Sequence, residues 1–399
     1  MSDNKGVVLK YGGSSVITPE KINQVADKII KKKKEYSNVI TVVSAMGKST
    51  NNLLQLSSEI TDNPNKREMD VLLSTGEQVT IALLSMAINA KGYKAISLTG
   101  WQIKLETFGH HMKSKITSID KNILNRYLEE GYIVIVAGFQ GVNSIGDITT
   151  LGRGGSDTSA VAIAATLGYP CEIYTDVKGI YTIDPRVYKE ARKLDNLSYE
   201  ETLEMASLGA KVIEPRSVEL AWKYNVPLYI ALNTNDVKGT HILEEVDRVE
   251  KNSITNVSIM DKILLVNIEL KNNNTELINN IFVKLGNENV NIDIISQNKF
   301  SNNEYLISFT TTSDNKVVVS NILKELKLKF NFIEEVSKVS IIGNSMRTQA
   351  GVASRVFELL LQGNVEFHQV STSEISISYV VDDYNVRKMV DILVKEFNL

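Results

Sequence analysis

The last third of the chain repeats itself. With an offset of 75 positions, Phe282 aligns with Phe357, Leu285 with Leu360, Val290 with Val365 and Ser296 with Ser371. Each copy reads strand, helix, strand, strand, helix, the order of a small ferredoxin-like α/β module. In the first copy the leading strand is expected at Lys262–Leu270 and the next at Asn291–Ser296. In the second copy these fall at Lys338–Ile342 and Val365–Val370. Two copies make a pair of modules, because a solenoid needs three or more repeats to bury its core. The whole chain of 399 residues exceeds what one hydrophobic core usually serves, so the part before the repeat must form a domain of its own.

That part alternates strands with helices, the pattern of a mostly parallel sheet covered by helices. Gly6–Tyr11 reads as a buried strand. Thr18-Pro19 opens a helix, with threonine as N-cap and proline at the first helical position, and Ile22, Val25, Ala26, Ile29 and Ile30 form its apolar face. Val39–Val43, Tyr132–Ala137, Cys171–Thr175 and Val226–Ala231 are further strands, the last of them expected to end the domain. Helices are expected at Glu77–Ala90, Thr117–Glu130 and Thr158–Leu167, and Ser198 with Glu201 forms a capping box. Asn233–Asn252 is polar and reads as a connector. The expected architecture is a three-layer α/β domain over residues 1–240, a connector at 241–261, and ferredoxin-like modules at 262–335 and 336–399.

Composition excludes several functions. A net charge of -3 and a pI near 6.0 leave no electrostatic footprint for nucleic acid; the run Lys31–Lys34 reads as a solvated helix end. One cysteine, Cys171, allows no internal disulfide and suits a reducing, cytoplasmic compartment. Four histidines and one cysteine supply no zinc ligand set. The N-terminus has no secretory apolar segment, and the longest apolar run, Tyr132–Ala137, is too short to cross a membrane.

Four segments carry chemistry. Lys10-Tyr11-Gly12-Gly13-Ser14-Ser15 follows the first strand directly; two glycines bring backbone N–H groups close to an anion and the lysine adds positive charge. Its lysine precedes the glycines, so it is not a Walker A loop, and a plain strand-to-helix turn explains it equally well. Leu151-Gly152-Arg153-Gly154-Gly155-Ser156-Asp157 lies just before an apolar helix, where the helix N-terminus favours anions and the arginine fork matches a carboxylate or phosphate; the alternative is a flexible loop with a surface arginine. Thr175-Asp176, Gly179-Ile180-Tyr181 and Asp184-Pro185-Arg186 follow a strand end, where ligands of open α/β sheets collect, though an ordinary loop with a turn at Asp184-Pro185 is an equal reading. Ser74-Thr75-Gly76-Glu77 opens an apolar helix, where Glu77 taken alone reads as a helix-start carboxylate favoured by the dipole.

Taken together and in order, Lys10–Ser15, Val42–Gly47, Ser74–Gln78, Gly138–Gly141, Thr149–Asp157, Tyr174–Val187 and Gly209–Val212 resemble the aspartokinase members of the amino acid kinase family. The paired C-terminal modules resemble that family's ACT domains, including Ser371-Thr372-Ser373-Glu374-Ile375-Ser376. The resemblance covers essentially the whole chain.

It implies ATP-dependent phosphorylation of the side-chain carboxylate of L-aspartate, the first step toward lysine, threonine and methionine, with Mg2+ accompanying ATP and feedback by lysine or threonine. Carried onto this sequence, Lys10 meets the transferring phosphoryl group, Gly12 and Gly13 present N–H donors, and Asp157 orients Lys10. Ser44, Thr50, Glu77 and Arg153 hold aspartate, with Arg153 on the α-carboxylate and Glu77 on the α-ammonium. Thr175, Asp176, Tyr181, Arg186 and Lys211 bind the nucleotide. The turns Asn291-Ile292-Asp293 and Met346–Val352, which contains Gln349 and Gly351, hold the effector, with Gln297 nearby. The resemblance also implies a homodimer through the ACT-like modules, open to pairing further. One departure is visible: the family's Asp-Pro-Gly turn after the first ACT strand is replaced by Lys271-Asn272-Asn273-Asn274-Thr275. The competing readings are a kinase of another carboxylate, such as acetylglutamate, and an amino-acid-binding regulator with a dead kinase domain. The ACT pair with Glu77, and intact Lys10, Glu77, Arg153 and Asp157, speak against these in turn.

Overall fold

Gly6–Tyr11 is buried along its whole length, as a strand flanked on both sides must be. It lies inside an eight-stranded sheet ordered Asn196–Ser198, Thr240–Leu243, Leu228–Leu232, Cys171–Thr175, Gly6–Tyr11, Asn38–Val43, Ile133–Ala137, Ala95–Leu98. Every pairing is parallel except that of Leu228–Leu232 with Thr240–Leu243. The computed structural model describes residues 5–233, 237–244, 254–300, 304–347 and 351–399. They divide into two units. The first holds the described residues up to Tyr181, Lys193–Ala206, and those from Lys211 to 244; the second holds Thr182–Arg192, Ser207–Ala210 and those from 254 onward.

In the first unit, helices Pro19–Glu35 and Lys66–Ala90 pack on the sheet through one core that includes Val7, Leu9, Ile22, Val25, Ile29, Ile81, Leu84 and Ile88. Thr18 caps the first helix as expected, accepting from the Lys21 N–H at 3.3 Å. Helix Gly155–Leu167 is almost wholly buried, which explains its run of alanines. Cys171 is fully buried and burial pushes its thiol pKa up, the state of an inert core residue.

Three expectations change here. The helix expected to begin near Glu77 begins at Lys66, with Asn65 as cap. It is long and apolar enough to cross a membrane, yet half of it lies inside the fold, where it packs on the central sheet. The helix expected from Thr117 begins only at Lys121, and Lys115–Ser118 is a strand of a separate four-stranded sheet with Glu106–Phe108, Gln140–Asn143 and Ile148–Thr150. The polar stretch taken as a connector contributes Thr240–Leu243 to the main sheet, so Leu228–Leu232 does not end the domain. Residues 234–236 and 245–253 of that stretch lie outside the described residues.

The second unit is one antiparallel sheet of six strands, ordered Ile295–Lys299, Tyr305–Thr312, Asn256–Leu270, Lys329–Ile342, Ser376–Asp382, Gln369–Thr372. Strands Asn256–Leu270 and Lys329–Ile342 are long enough to serve both repeats. The second module therefore borrows Asn256–Met260, which the sequence boundaries left in the connector. Helices Thr275–Asn287 and Lys316–Glu325 cover Leu264, Val266 and Ile268. Helices Val352–Gln362 and Asp383–Phe397 cover Val257, Val339 and Ile341, and Ile183, Val187, Tyr188 and Ala191 join that cluster. The inserted segment is held by backbone bonds as well. The Val257 N–H donates to the Thr182 carbonyl at 2.8 Å, and Arg387 donates to the Val187 carbonyl at 2.6 Å. Its composition alone, Thr182–Arg192, marks it only as a loop.

Candidate functional site

The site collects at the carboxyl ends of the central parallel strands, where the backbone leaves unpaired groups and helices begin. Lys10 is the next-to-last residue of the strand Gly6–Tyr11, with only 9% of its surface exposed. Its ammonium lies 2.6 Å from Asp157 Oδ1, and Asp157 stands in the first turn of helix Gly155–Leu167. A carboxylate there is favoured by the helix dipole and holds the lysine at a fixed height. Gly12 lies beside the same ammonium: a Cβ on it would sit 3.5 Å from Lys10 Nζ. At Gly13 a Cβ would lie 2.5 Å from the Ala45 carbonyl oxygen, so only glycine lets the two loops meet. The Gly47 N–H then donates to the Gly13 carbonyl at 3.0 Å.

Glu77 lies three turns inside its helix, so the dipole does not account for it. Its side chain points into the protein, 3% exposed, and Oε1 accepts from the Ala45 N–H at 3.0 Å. Oε2 is buried with no partner among the described residues. Burial raises the carboxyl pKa to about 7 against the opposing pull of its hydrogen bonds to backbone N–H groups. Gly76 makes the contact possible: a Cβ there would come within 2.8 Å of the Ala45 Cβ. Glycine inside a helix costs about 1 kcal/mol, and here it lets the Ala45 loop rest on the helix. Ser44 sits at the start of that loop, its N–H bonded to the Tyr11 carbonyl at 3.2 Å, and Thr50 lies in the first turn of helix Ser49–Ile60.

Arg153 is exposed on the loop before helix Gly155–Leu167. The residue missed by sequence reasoning is Glu214: its side chain packs against Gly154, and burial together with Asp157 raises its pKa while Arg216 and Arg153 oppose the rise. Its one sequence signal is the proline that follows it, which starts helix Pro215–Lys223. Thr175 ends its strand and donates to Asp176 at 3.1 Å. Tyr181 and Lys211 belong to the same unit as Lys10. Arg186 does not: it lies in the second unit, chelating Asp184 at 2.6–3.1 Å with its side chain exposed.

Comparison with known proteins shows the family. The amino acid kinase family model matches residues 5–232 and an ACT domain model matches residues 339–397. Aspartokinase 2 of Bacillus subtilis is 46% identical over 400 residues, covering 98% of both chains. The chain belongs to the aspartokinase family. The aspartokinase of Geobacillus stearothermophilus is 44% identical over 395 residues, covering 98% of this chain and 97% of its own. Aspartokinase III of Escherichia coli, solved with aspartate and ADP, shares the fold at 22% identity with a TM-score of 0.83, over 98% of this chain and all of that one.

Of the positions assigned to an effector in this aspartokinase chain, Asn291, Ile292 and Asp293 precede the strand Ile295–Lys299, which begins later than expected. Gln297 is on that strand and donates to Asn273 at 3.1 Å. Met346 lies in a short 3-10 turn, Gly351 caps helix Val352–Gln362 with φ 98°, and Val352 begins that helix. Gln349 is outside the described residues. Asp293 already has a partner, because the ammonium of Lys338, 1% exposed, is paired with its Oδ2.

Proposed function

We propose that the protein transfers the γ-phosphoryl group of ATP to the side-chain carboxylate of L-aspartate, giving 4-phospho-L-aspartate, under feedback control by lysine or threonine. The observation that carries this reading is Glu77. A buried carboxylate with one oxygen held and the other unsatisfied is costly, and a substrate ammonium is the group that would satisfy it. Arg153 then takes the α-carboxylate as a bidentate fork, leaving the side-chain carboxylate directed to the nucleotide.

That carboxylate is ionised at neutral pH, so no general base is required. The remaining work is alignment and charge neutralisation. Lys10, held by Asp157, meets the negative charge on the transferring oxygens, and the Gly13 N–H donates beside it; the Gly12 N–H, expected to do the same, is instead taken by the Tyr174 carbonyl at 3.3 Å. Thr175, Asp176, Tyr181 and Lys211 supply the nucleotide contacts, with Arg186 assigned there by family resemblance. Among the described residues no group of three or more His, Cys, Asp or Glu side chains is placed to hold a metal ion. Mg2+ fits as an ion carried mainly by the phosphates, as is usual for it, with Asp157 and Glu214 as the nearby carboxylates; bound there, it neutralises phosphate charge.

The ACT-like unit is read as the sensor. Its outer strands, Ile295–Lys299 and Gln369–Thr372, each have one paired neighbour, which supports assembly of two chains edge to edge. The relative solved with lysine and aspartate, E. coli aspartokinase III, supports a regulatory amino acid. The test is ADP release with Mg-ATP and L-aspartate, with the acyl phosphate trapped by hydroxylamine. Turnover should require aspartate; equal turnover with acetylglutamate, or none with aspartate, would sink the reading.

A further inference from the structure

Asp70 is the most deeply buried carboxylate of the catalytic unit, with none of its surface exposed, and the chemistry above leaves it unused. It lies on the same helix as Glu77, seven residues earlier, so the two share one face. Its carboxylate gathers three donors from two other segments. Oδ1 accepts from the Thr150 hydroxyl at 2.5 Å and from the Met112 N–H at 3.0 Å; Oδ2 lies 2.6 Å from His111 Nδ1 and 3.2 Å from the Met112 N–H.

These partners frame the Arg153 loop. Thr150 ends the strand Ile148–Thr150, three residues before Arg153. The Ser114 N–H donates to the Thr150 carbonyl at 3.0 Å, and Arg216 ties the Leu151 carbonyl at 2.8 Å to that of Ser114 at 3.2 Å. Gly152 lies against the Met112 carbonyl, where a Cβ would sit 3.0 Å from the oxygen. The 110–114 segment and the loop's entry therefore move as one piece, and Asp70 is the point that fastens this piece to the Glu77 helix. Another tie between the loop's entry and this helix is Gln140, which pairs with Thr150 and donates to the Ser74 carbonyl at 2.9 Å; Asp70 adds the side-chain contact that reaches Thr150 itself.

We propose that Asp70 is the positioning residue that sets Arg153 at the correct spacing from Glu77, so that the two can grip the α-carboxylate and α-ammonium of one substrate together. The inference rests on the reading of Arg153 and Glu77 as the two grips on aspartate. Ser74, between them on the same face, reinforces the geometry, since its carbonyl accepts from Gln140 Nε2 at 2.9 Å. A small displacement of one grip affects every bound substrate, which is why a misplacement of about 1 Å can cost up to about a hundredfold.

The test is steady-state kinetics of the full chain carrying Asp70→Ala, Asp70→Asn, Thr150→Val or Arg153→Ala. Asp70→Ala should raise the KM for aspartate about thirtyfold and leave the KM for ATP within about twofold. Asp70→Asn keeps a carbonyl oxygen for Thr150 and Met112, so it should stay within about fivefold of wild type. Equal rises in both KM values, or a lower melting temperature with both KM values unchanged, would overturn the proposal. Should Asp70→Ala fail to fold, Thr150→Val decides: a rise of about fivefold in the aspartate KM alone supports it, and an unchanged value overturns it. An unchanged aspartate KM in Arg153→Ala would remove the parent reading of that arginine, and this inference with it.

Discussion

The two units solve opposite problems with their polar groups. In the catalytic unit Lys10, Asp157 and Glu77 gather beside the carboxyl ends of the central parallel strands, held but not all satisfied, while Glu172, buried near the start of its strand, is paired with Lys32 at 2.8 Å. In the ACT-like unit several polar side chains of the antiparallel sheet find partners, Lys338 with Asp293, Ser340 with Ser378 at 2.7 Å and Ser308 with Asn267 at 2.6 Å, while the Tyr379 hydroxyl and Gln369 Oε1 are buried without one among the described residues. Its two outer strands each pair with one neighbour along the backbone, and Gln369 of one donates to Ser296 Oγ of the other at 3.1 Å. The catalytic unit leaves a buried carboxylate oxygen open beside the ends of its strands, where ligands of such sheets collect, whereas the ACT-like sheet pairs its buried lysine.

The strongest way to break this comparison is to remove one unit. A chain ending at residue 252 would uncover Ile183, Val187, Tyr188 and Ala191, whose apolar partners all lie in the second unit. It should lose cooperative unfolding and aggregate on expression, with most of the protein in the insoluble fraction. A soluble monomer with wild-type kinetics would show the units to be independent after all.

Within the catalytic unit, Lys10→Ala should lower kcat by about a thousandfold while ATP and aspartate still bind by calorimetry, because a cation facing developing charge acts mainly in the transition state. A change within about threefold, less than 1 kcal/mol, would take Lys10 out of the reaction.

The ACT-like unit should instead answer in stability. Asp293→Ala leaves the buried Lys338 without its carboxylate and should cost about 2–3 kcal/mol in urea denaturation, less than a fully buried pair because Asp293 is partly exposed. Lys338→Met should be near neutral, and it frees Asp293 for an effector ammonium, so calorimetric lysine or threonine affinity should rise. Equal destabilisation by both variants would mean that the pair is not what holds this part of the sheet.

The smallest effect is graded by pH. The folded-state pKa of Glu77, about 7, lies above its ordinary value of 4.5. Its protonated form therefore stabilises the ligand-free fold below the ordinary value, and that contribution fades as pH rises through about 7. An aspartate ammonium requires the ionised form, so the KM for aspartate should fall up to about tenfold per pH unit as pH rises toward 7, then level off. Glu77→Gln should flatten that profile and make the ligand-free protein more stable at pH 8. An unchanged slope would remove Glu77 from the ammonium site.

Some local signals carry over to the structure where neighbours in sequence supply the partners. The Thr18 cap is one case. The capping box is another: the Glu201 N–H donates to Ser198 Oγ at 3.1 Å and the Ser198 N–H to Glu201 Oε2 at 3.4 Å. Glu77 was read as a helix-start residue because Ser74-Thr75-Gly76 looks like a break, while the helix runs straight through on its packing against the sheet. Thr117 and Ser118, expected to open a helix, instead end the strand Lys115–Ser118, because the pairing with Glu106–Phe108 that places them there is not written in the local pattern.

What the sequence determined by itself is what short-range chemistry encodes: the alternation of strand and helix, the repeat and its fold class, the glycine-rich loops beside Lys10 and Arg153, and the family. What only the tertiary structure decided is where polar atoms find partners far away in sequence. Asp70 meets Met112 and Thr150, Glu77 meets Ala45, Lys338 meets Asp293, and Thr182–Arg192 leaves the unit that surrounds it in sequence. The physical reason is that burying a polar or apolar group is worthwhile only against a complementary one, and which residue provides it depends on chain crossings that composition and periodicity do not record.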